Sequence, residues 1–534
     1  MKFESDLSFE VRHKDLLGRI GYLRTKSGTL ETPLLLPVFN ANSQIIRPQE
    51  LKERFSFDAL ITNSYLIWRK YRGEKEVPKI HELLNFNGAI ETDSGAYQIL
   101  QYGAVEVQPR EIVHFQEKLE SDIAVILDVP TGAEASKERA RWTVEETLRR
   151  ADQSLGLITR NDMLWVGPVQ GGIYLDLVSF SAKEMAKRNF SIYALGSPTP
   201  VMQQYRFETL VDMIMAANAQ LPPNKPLHLF GAGHPMMFAF AVALGCDMFD
   251  SASYALFARN GRYMTTQGTA KIQELEYFPC SCPACNKKTP EQVRGMLLME
   301  RERLLAAHNL HACFAELQTV KQAILDGRLW ELLETRARNH PALQIAFQRM
   351  LHYSDRFEPE TPIRKRKGPF ILTEQSLFRP EVIRHQARLL QRYRPPPKAK
   401  KLLLIPEEHT RSFRESASPT KPVDRLERIN GVHLCSYSLT YGIVPYELID
   451  VYPLSQTETS LAPTPAAISF ARRRVADYIK KFGYSRCIII GSAPWHEELA
   501  ERLKQKSMGK VKIRFLEEKE LDKQALQRIL KTLK

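Results

Sequence analysis

Three cysteines fall within six residues of "FPCSCPACNKK", at Cys280, Cys282 and Cys285, and His308 follows after 22 intervening residues in a stretch of helical pattern. Three thiolates and one imidazole make a closed tetrahedral donor set. That is the arrangement of a structural Zn2+ site, one per chain, with no open position for a reacting water. His311 lies on the same predicted helix but on another face, and is the alternative fourth ligand. Such a site would pin a loop to a helix and add folding energy without taking part in catalysis.

A second set of polar residues ends a series of apolar runs: Asp93 in "AIETDSGAYQ", Asp128 in "IAVILDVPTG", Gln170 in "WVGPVQGG", Gly196 in "IYALGSPTP" and Asp250 in "DMFDSASYA". One aspartate at a strand end is ordinarily a turn former or a helix cap. Several at one mouth can divide chemical roles. A carboxylate nucleophile with a second carboxyl as acid or base is what displacement at a sugar anomeric carbon needs, because the transition state is cation-like there. A third carboxylate with Gln170 could bind the donor edge of a guanine-like base. Tyr97 could stack on that base or pack in the core.

The elements that must position these groups repeat one pattern, a short β-branched run followed by a longer amphipathic segment. Seven runs, "DALITNSYL", "LHLFGAGHP" and the five above, alternate with stretches such as "KERARWTVEETLRRADQSLGLI". This predicts an α/β fold with a (β/α)8 TIM-like barrel, whose strand C-termini gather Asn63, Asp93, Asp128, Gln170, Gly196, His234 and Asp250 at one mouth. His234 either touches the sugar or holds its loop. The segment "GRIGYLRTKSGTLETPLLLPVF" reads as a β-hairpin ahead of the first barrel strand. The expected organisation is a catalytic barrel over 1–345, with the zinc subdomain at about 276–330. A helical, basic linker over 346–395, containing "RKRK" at 364–367, and a smaller C-terminal α/β domain over 396–534 follow. The "RKRK" turn reads as solvated. No phosphate-binding glycine loop is visible in the last domain.

The chain of 534 residues carries 75 Lys and Arg against 61 Asp and Glu, a formal net charge of +14 that suits a polyanionic partner. Seven cysteines, three of them clustered, argue against a secreted disulfide framework, and Cys246, Cys313, Cys435 and Cys487 read as buried thiols. No apolar run approaches membrane-spanning length, and "MKFESDLSFEVRHKD" has no signal-peptide core, so the expected location is cytoplasmic, with no membrane partner.

"ETDSGAYQIL", "FGAGHP", "FDSASYALFARNGRYMTTQGT" and "EYFPCSCPAC" with the distant histidine resemble the tRNA-guanine transglycosylase family, in its archaeal branch, from the hairpin to about residue 345. The resemblance implies exchange of guanine at position 15 of the tRNA D-loop for 7-cyano-7-deazaguanine, a step of archaeosine synthesis. It assigns Asp250 as nucleophile and Asp93 as general acid/base. Asp128, Gln170 and Gly196 would recognise the base, Ser94 would lie beside the pocket and Tyr97 would stack. Cys280, Cys282, Cys285 and His308 would hold zinc. A tRNA partner and a homodimer are implied as well. Ser197 stands where archaeal relatives commonly have glycine. The segment "SYSLTYGIVPYELIDVYPLSQTETSL" is similar to the C-terminal domain of archaeosine synthase, but "LIPEEHTRSF" replaces that family's Pro-Cys-Ser and Lys-Lys-Pro-Tyr signature. No PUA domain is recognisable, which leaves a separate PUA-containing subunit as a possible partner. An archaeosine-synthase-like paralogue and a non-catalytic tRNA-binding subunit are the alternative readings.

Overall fold

A computed structural model describes residues 9–40, 45–74, 76–96, 107–132, 134–409, 426–505 and 511–533. The chain forms two compact units, one through Tyr353 and one from Ser354.

The first unit begins with an antiparallel sheet of β1 (Phe9–Asp15), β2 (Gly18–Thr25) and β3 (Gly28–Thr32). Eight parallel strands then close a barrel: β4 (Leu34–Phe39), β5 (Ala59–Asn63), β6 (Ala89–Asp93), β7 (Ile123–Val125), β8 (Leu164–Val169), β9 (Ile192–Leu195), β10 (Leu227–Leu229) and β11 (Met248–Ser251). All seven runs read from the sequence are barrel strands. The eighth is "LLLPVF", the end of the segment expected as a hairpin ahead of the barrel, and it is itself a barrel strand. Its parallel pairing with β11, Asp250 opposite Leu36, closes the ring.

Helices cover the outside of the barrel, so both faces of each strand are buried and the runs are almost continuously apolar. Which face a residue takes is set by the period of two along the strand. Leu36, Ala59, Ile61, Ala89, Ile123, Val125, Leu164, Val166, Ile192, Ala194 and Met248 form one buried cluster that fills the barrel. Leu23 and Leu30 from the hairpin sheet belong to the same cluster and seal its N-terminal end.

Polar groups lock that seal. The Arg19 guanidinium on β2 grips Asp247 through two bonds, Nε to Oδ1 at 2.8 Å and Nη2 to Oδ2 at 2.7 Å, and it also donates to the carbonyls of Pro223 and Lys225. Asp247 accepts from the Leu227 amide as well, so one buried carboxylate ties the hairpin sheet to β10 and to the start of β11. Asp122 does the same on the other side, accepting from the amides of Ser27 and Ile90.

After β11 the chain makes a helix (Ser253–Arg259) and the hairpin β12 (Arg262–Thr265) and β13 (Gly268–Lys271). The cysteine loop and a 29-residue helix (Leu298–Asp326), packed against the helices and strands around it, complete this region.

The second unit has a minor parallel pair, β14 (Phe370–Ile371) with β18 (Glu458–Thr459). Its main sheet contains β15 (Lys401–Pro406), β16 (Val432–Ser438), β17 (Gly442–Pro445), β19 (Arg486–Gly491) and β20 (Lys512–Glu517). The sheet order is β17-β16-β15-β19-β20, with only β17 antiparallel. Alternate residues feed two cores. Leu402 and Leu404 face the helix Pro465–Phe482, whereas Leu403 and Ile405 face Leu526 and Ile529 of the last helix. Within the helical, basic linker expected over 346–395, residues from Ser354 onward carry the helices Ser354–Glu360 and Pro380–Gln391 and cluster with this unit. In the "RKRK" turn Arg364, Arg366 and Lys367 are exposed as expected, whereas Lys365 is buried against Glu381 at 2.6 Å, beside Arg379.

Replacing Arg19 by Met leaves Asp247 buried without its guanidinium. The expected cost is about 3–5 kcal/mol in the denaturant transition of the barrel unit, and a loss below about 1 kcal/mol would show that the hairpin seal does not depend on this pair.

Candidate active site and metal centre

At the barrel mouth the inward parity carries over from hydrocarbon to polar residues. Register partners on parallel neighbours point to the same side, so Asp93 opposite Asn63, and Asp250 opposite Leu36, project inward like Ile61 and Met248 one layer below.

Asn63 caps the helix Ser64–Tyr71 by accepting from the Leu66 amide through Oδ1 at 3.0 Å. The cap fixes the orientation of the amide, so Nδ2 donates to Asp93 Oδ2 at 3.0 Å. The Gly95 amide reaches the same oxygen at 3.3 Å. Gly95 has φ +88, and a side chain there would overlap Tyr65, so this turn requires glycine. Burial, together with the negative charge of Asp128 and Asp250, pushes the Asp93 carboxyl up to about 7. Ser94 is fully buried beside it, and its Oγ has no hydrogen-bond partner among the described residues.

Asp128 follows β7 and Gln170 follows β8. Gln170 Nε2 donates to Asp128 Oδ2 at 2.6 Å. The other end of the amide accepts from the Thr131 N–H and the Ser197 hydroxyl, both at 3.0 Å, which sets its orientation. Burial raises the Asp128 carboxyl to about 6, against the opposing pull of the Gln170 bond. Gly196 lies over this pair. Its N–H is used by Val169 O at 2.9 Å, and a Cβ in its place would overlap Gln170 Nε2. The Gly196 N–H is therefore already paired, and the absence of a side chain leaves space over Gln170. Ser197 takes a left-handed φ of +62 while it donates to Gln170.

Asp250, on β11, is partly exposed at the mouth, and its Oδ1 accepts from the Gly231 amide at 2.8 Å. Beneath it lie two residues that sequence reasoning missed. His228 Nε2 stands 3.1 Å from Asp250 Oδ1, and His228 Nδ1 stands 3.4 Å from Glu91 Oε1, with both side chains fully buried. The signal was available: Glu91 and His228 are polar residues at inward positions of "AIETD" and "LHLFG". His234, grouped with the mouth residues from the sequence, holds its loop instead. Its Nδ1 accepts from the Met236 amide and its Nε2 lies 3.0 Å from Thr269 Oγ1. Tyr97 lies outside the described residues.

The donor atoms of Cys280, Cys282, Cys285 and His308 lie within 4.8 Å of one another. His308 Nδ1 is 3.5–3.6 Å from all three sulfurs, while its Nε2 lies 2.9 Å from the Met264 carbonyl, the outer contact that fixes the tautomer of a metal-ligating histidine. Tyr263 stacks on the imidazole at 3.5 Å between centroids and donates to Cys280 Sγ at 2.9 Å. His311 instead packs against Phe55, so His308 is the fourth member. These residues can hold a metal ion, and the soft sulfur-rich set fits zinc. Cys246, Cys313, Cys435 and Cys487 are buried free thiols. Among the described residues no helix is long and apolar enough to cross a membrane.

Metal analysis should find one zinc per chain, and Cys282→Ser or a strong chelator should lower the thermal midpoint of the barrel unit by several degrees. A metal-free protein with unchanged stability would remove the structural role.

Residues 15–342 match the family described as queuine tRNA-ribosyltransferase (TGT), and residues 382–533 match a domain of unknown function, DUF5591. The chain is 43% identical over 466 residues to the tRNA-guanine(15) transglycosylase of Methanocaldococcus jannaschii, covering 85% of this chain and 68% of that one. It is 41% identical over 488 residues to the tRNA-guanine(15) transglycosylase of Sulfolobus acidocaldarius, covering 90% and 95%. With the protein of that name from Pyrococcus furiosus it shares 46% identity over 389 residues, 72% of this chain and 66% of the other. A closed parallel barrel with convergent carboxylates, a Cys3His cluster beside it and a match over most of the first unit together place this chain in the tRNA-guanine transglycosylase family of pentosyltransferases.

Proposed function

We propose that this transglycosylase exchanges guanine at position 15 of tRNA for 7-cyano-7-deazaguanine, the tRNA-level entry to archaeosine, by two displacements at C1′ of the same ribose. The relatives' names supply the position. The observation that carries the mechanism is the convergence at one mouth of one carboxyl, Asp93, held by Asn63 and the Gly95 amide, and a second, partly exposed carboxylate, Asp250.

In the first displacement Asp250 attacks C1′, the C1′–N9 bond breaks, and guanine leaves with the bonding pair and a proton from Asp93. In the second, N9 of the incoming base attacks C1′ and gives its proton to the Asp93 carboxylate, and Asp250 leaves as a carboxylate. Two inversions retain configuration, and release of guanine before the second base enters makes the kinetics ping-pong. Asp128 accepts from the N–H edge of the base while Gln170, held by Thr131 and Ser197, keeps that carboxylate oriented. The target nucleotide must be unstacked from folded tRNA to reach a pocket of this kind. The chain's +14 charge supplies attraction for the polyanion while that cost is met. Zinc would hold the β12–β13 region and take no part in the displacements. The DUF5591 unit serves in this reading as a tRNA-binding appendage, and the protein works as a cytoplasmic homodimer.

Labelled guanine should enter unmodified tRNA with wild type, and a covalent tRNA adduct should survive a denaturing gel. Asp250→Asn should abolish both, and an adduct that persists in that variant would sink the nucleophile assignment.

The raised carboxyls set a pH window. Asp93 must be protonated to act as acid, so kcat/KM should fall as pH rises through about 7. Asp128 must be ionised to accept from the base, so it should also fall as pH drops through about 6. A flat profile between pH 5 and about 9 would remove these roles.

Gly196→Ala should displace the Gln170 amide and raise KM for the base about tenfold or more, with stability changed by less than about 1 kcal/mol. An unchanged KM would mean that the base does not lie against this glycine.

A further inference from the structure

The barrel interior directly below Asp250 is not hydrocarbon. His228 on β10 and Glu91 on β6 meet there, both fully buried, in a layer whose other inward positions are Ile61, Ile123 and Met248 or their neighbours. Placing a carboxylate in such a layer is unfavourable without a compensating cation. His228 is the group within reach, at 3.4 Å from Glu91 Oε1 and 3.1 Å from Asp250 Oδ1. Its register partners on β9 and β11 are the inward-facing Ala194 and Met248, so strand parity holds the ring inside the barrel.

We propose that His228 is a charged positioning residue for the nucleophile: carried by Glu91, its imidazolium and the Gly231 amide together hold Asp250 Oδ1, which leaves Oδ2 as the atom that attacks C1′. This deepens the proposed mechanism and rests on Asp250 being the nucleophile. The Gly231 amide donates to Oδ1 and the His228 ring approaches the same oxygen at 3.1 Å, whereas among the described residues Oδ2 has no such contact.

Burial alone would pull the imidazole down. The charge of Glu91 and the contact with Asp250 outweigh it and push His228 up to about 9. A cation fixed beneath the carboxylate has its largest effect when Asp250 is the leaving group. As the C1′–Oδ2 bond breaks, its electron pair returns to the carboxylate and is shared with Oδ1, beside which the charged ring and the Gly231 amide already lie. Glu91 does not touch the reacting atoms. It fixes the ring and supplies the charge that keeps it protonated, as the third member of a nucleophile–base–orienter arrangement does elsewhere.

The test is single-turnover kinetics of wild type and His228→Gln, following formation of the tRNA adduct and its discharge by incoming 7-cyano-7-deazaguanine. The expected result is a fall of about 10- to 100-fold in the discharge rate, accumulation of adduct, and an unchanged KM for tRNA. Discharge within twofold of wild type in a folded, metal-loaded His228→Gln protein overturns the proposal. Should that variant fail to fold, 15N-histidine NMR of the wild-type chain decides. The His228 ring, assigned by its shift in Asp250→Asn, should carry both protons at pH 8, and a neutral ring at pH 7 overturns the charged anchor. Failure of the underlying reading is distinct, because it would appear as a covalent adduct formed by Asp250→Asn, whatever His228 does.

Discussion

Closure of the barrel through the parallel pairing of β11 with β4 is the interaction on which the site depends. Without it Asp250 would end an edge strand, far from Asp93 on the third barrel strand. With it, strands of period two must send alternate residues to one shared interior, and the interior is filled in layers. Hydrocarbon from Ala59, Ala89 and Leu164 lies low, the Glu91 and His228 side chains lie between, and Asn63, Asp93 and Asp250 stand at the mouth. Burial, with the charges of Asp128 and Asp250 close by, is what raises Asp93. The same burial that makes the barrel stable places a carboxyl near neutral pH, where it can both give and take a proton.

Charges buried this deeply persist because each is answered. Asp247 has Arg19, Glu91 has His228, Glu316 has Arg336, and in the second unit Glu381 has Arg379 and Lys365. Such pairs contribute little net stability relative to hydrocarbon, but breaking one is costly, so they specify a single arrangement. Arg19 and Asp247 use that property to fix the seal of the barrel. At the mouth the pairing is incomplete: the charges of Asp128 and Asp250 act against ionisation of Asp93, and no Lys or Arg side chain forms an ion pair with the three among the described residues. Incomplete compensation is what leaves a site able to react.

The long helix that carries His308 is joined to that site by hydrogen bonds to its backbone. Asn309, next to His308 on the long helix, accepts from the Met264 amide and donates to the carbonyls of Tyr254 and Arg262. Cys313, one turn further, donates to the carbonyl of Gly233. Thus the helix that carries the imidazole ligand also holds the segment leaving β11 and the loop after β10, which flank Asp250. A bound ion would stiffen this frame while standing outside the chemistry.

Much of this was legible in the sequence, and the reason is local. Strand ends are marked by a polar residue after a β-branched run, so Asp93, Asp128, Gln170 and Asp250 could be picked out one at a time. Cysteine spacing within six residues needs no tertiary information to suggest a metal. What the sequence could not express were relations between strands far apart in the chain. "LLLPVF" read as part of a hairpin because its role as eighth strand exists only once β11 arrives beside it. Glu91 and His228 looked like unremarkable polar residues in apolar runs, because their meaning is a contact made across 137 positions of sequence. That the Gly196 N–H is taken by the Val169 carbonyl follows only from the β8–β9 pairing. Residue type and spacing determined which groups could do chemistry. Ring closure and strand parity, which are properties of the packed whole, decided which of them meet and in what state of charge.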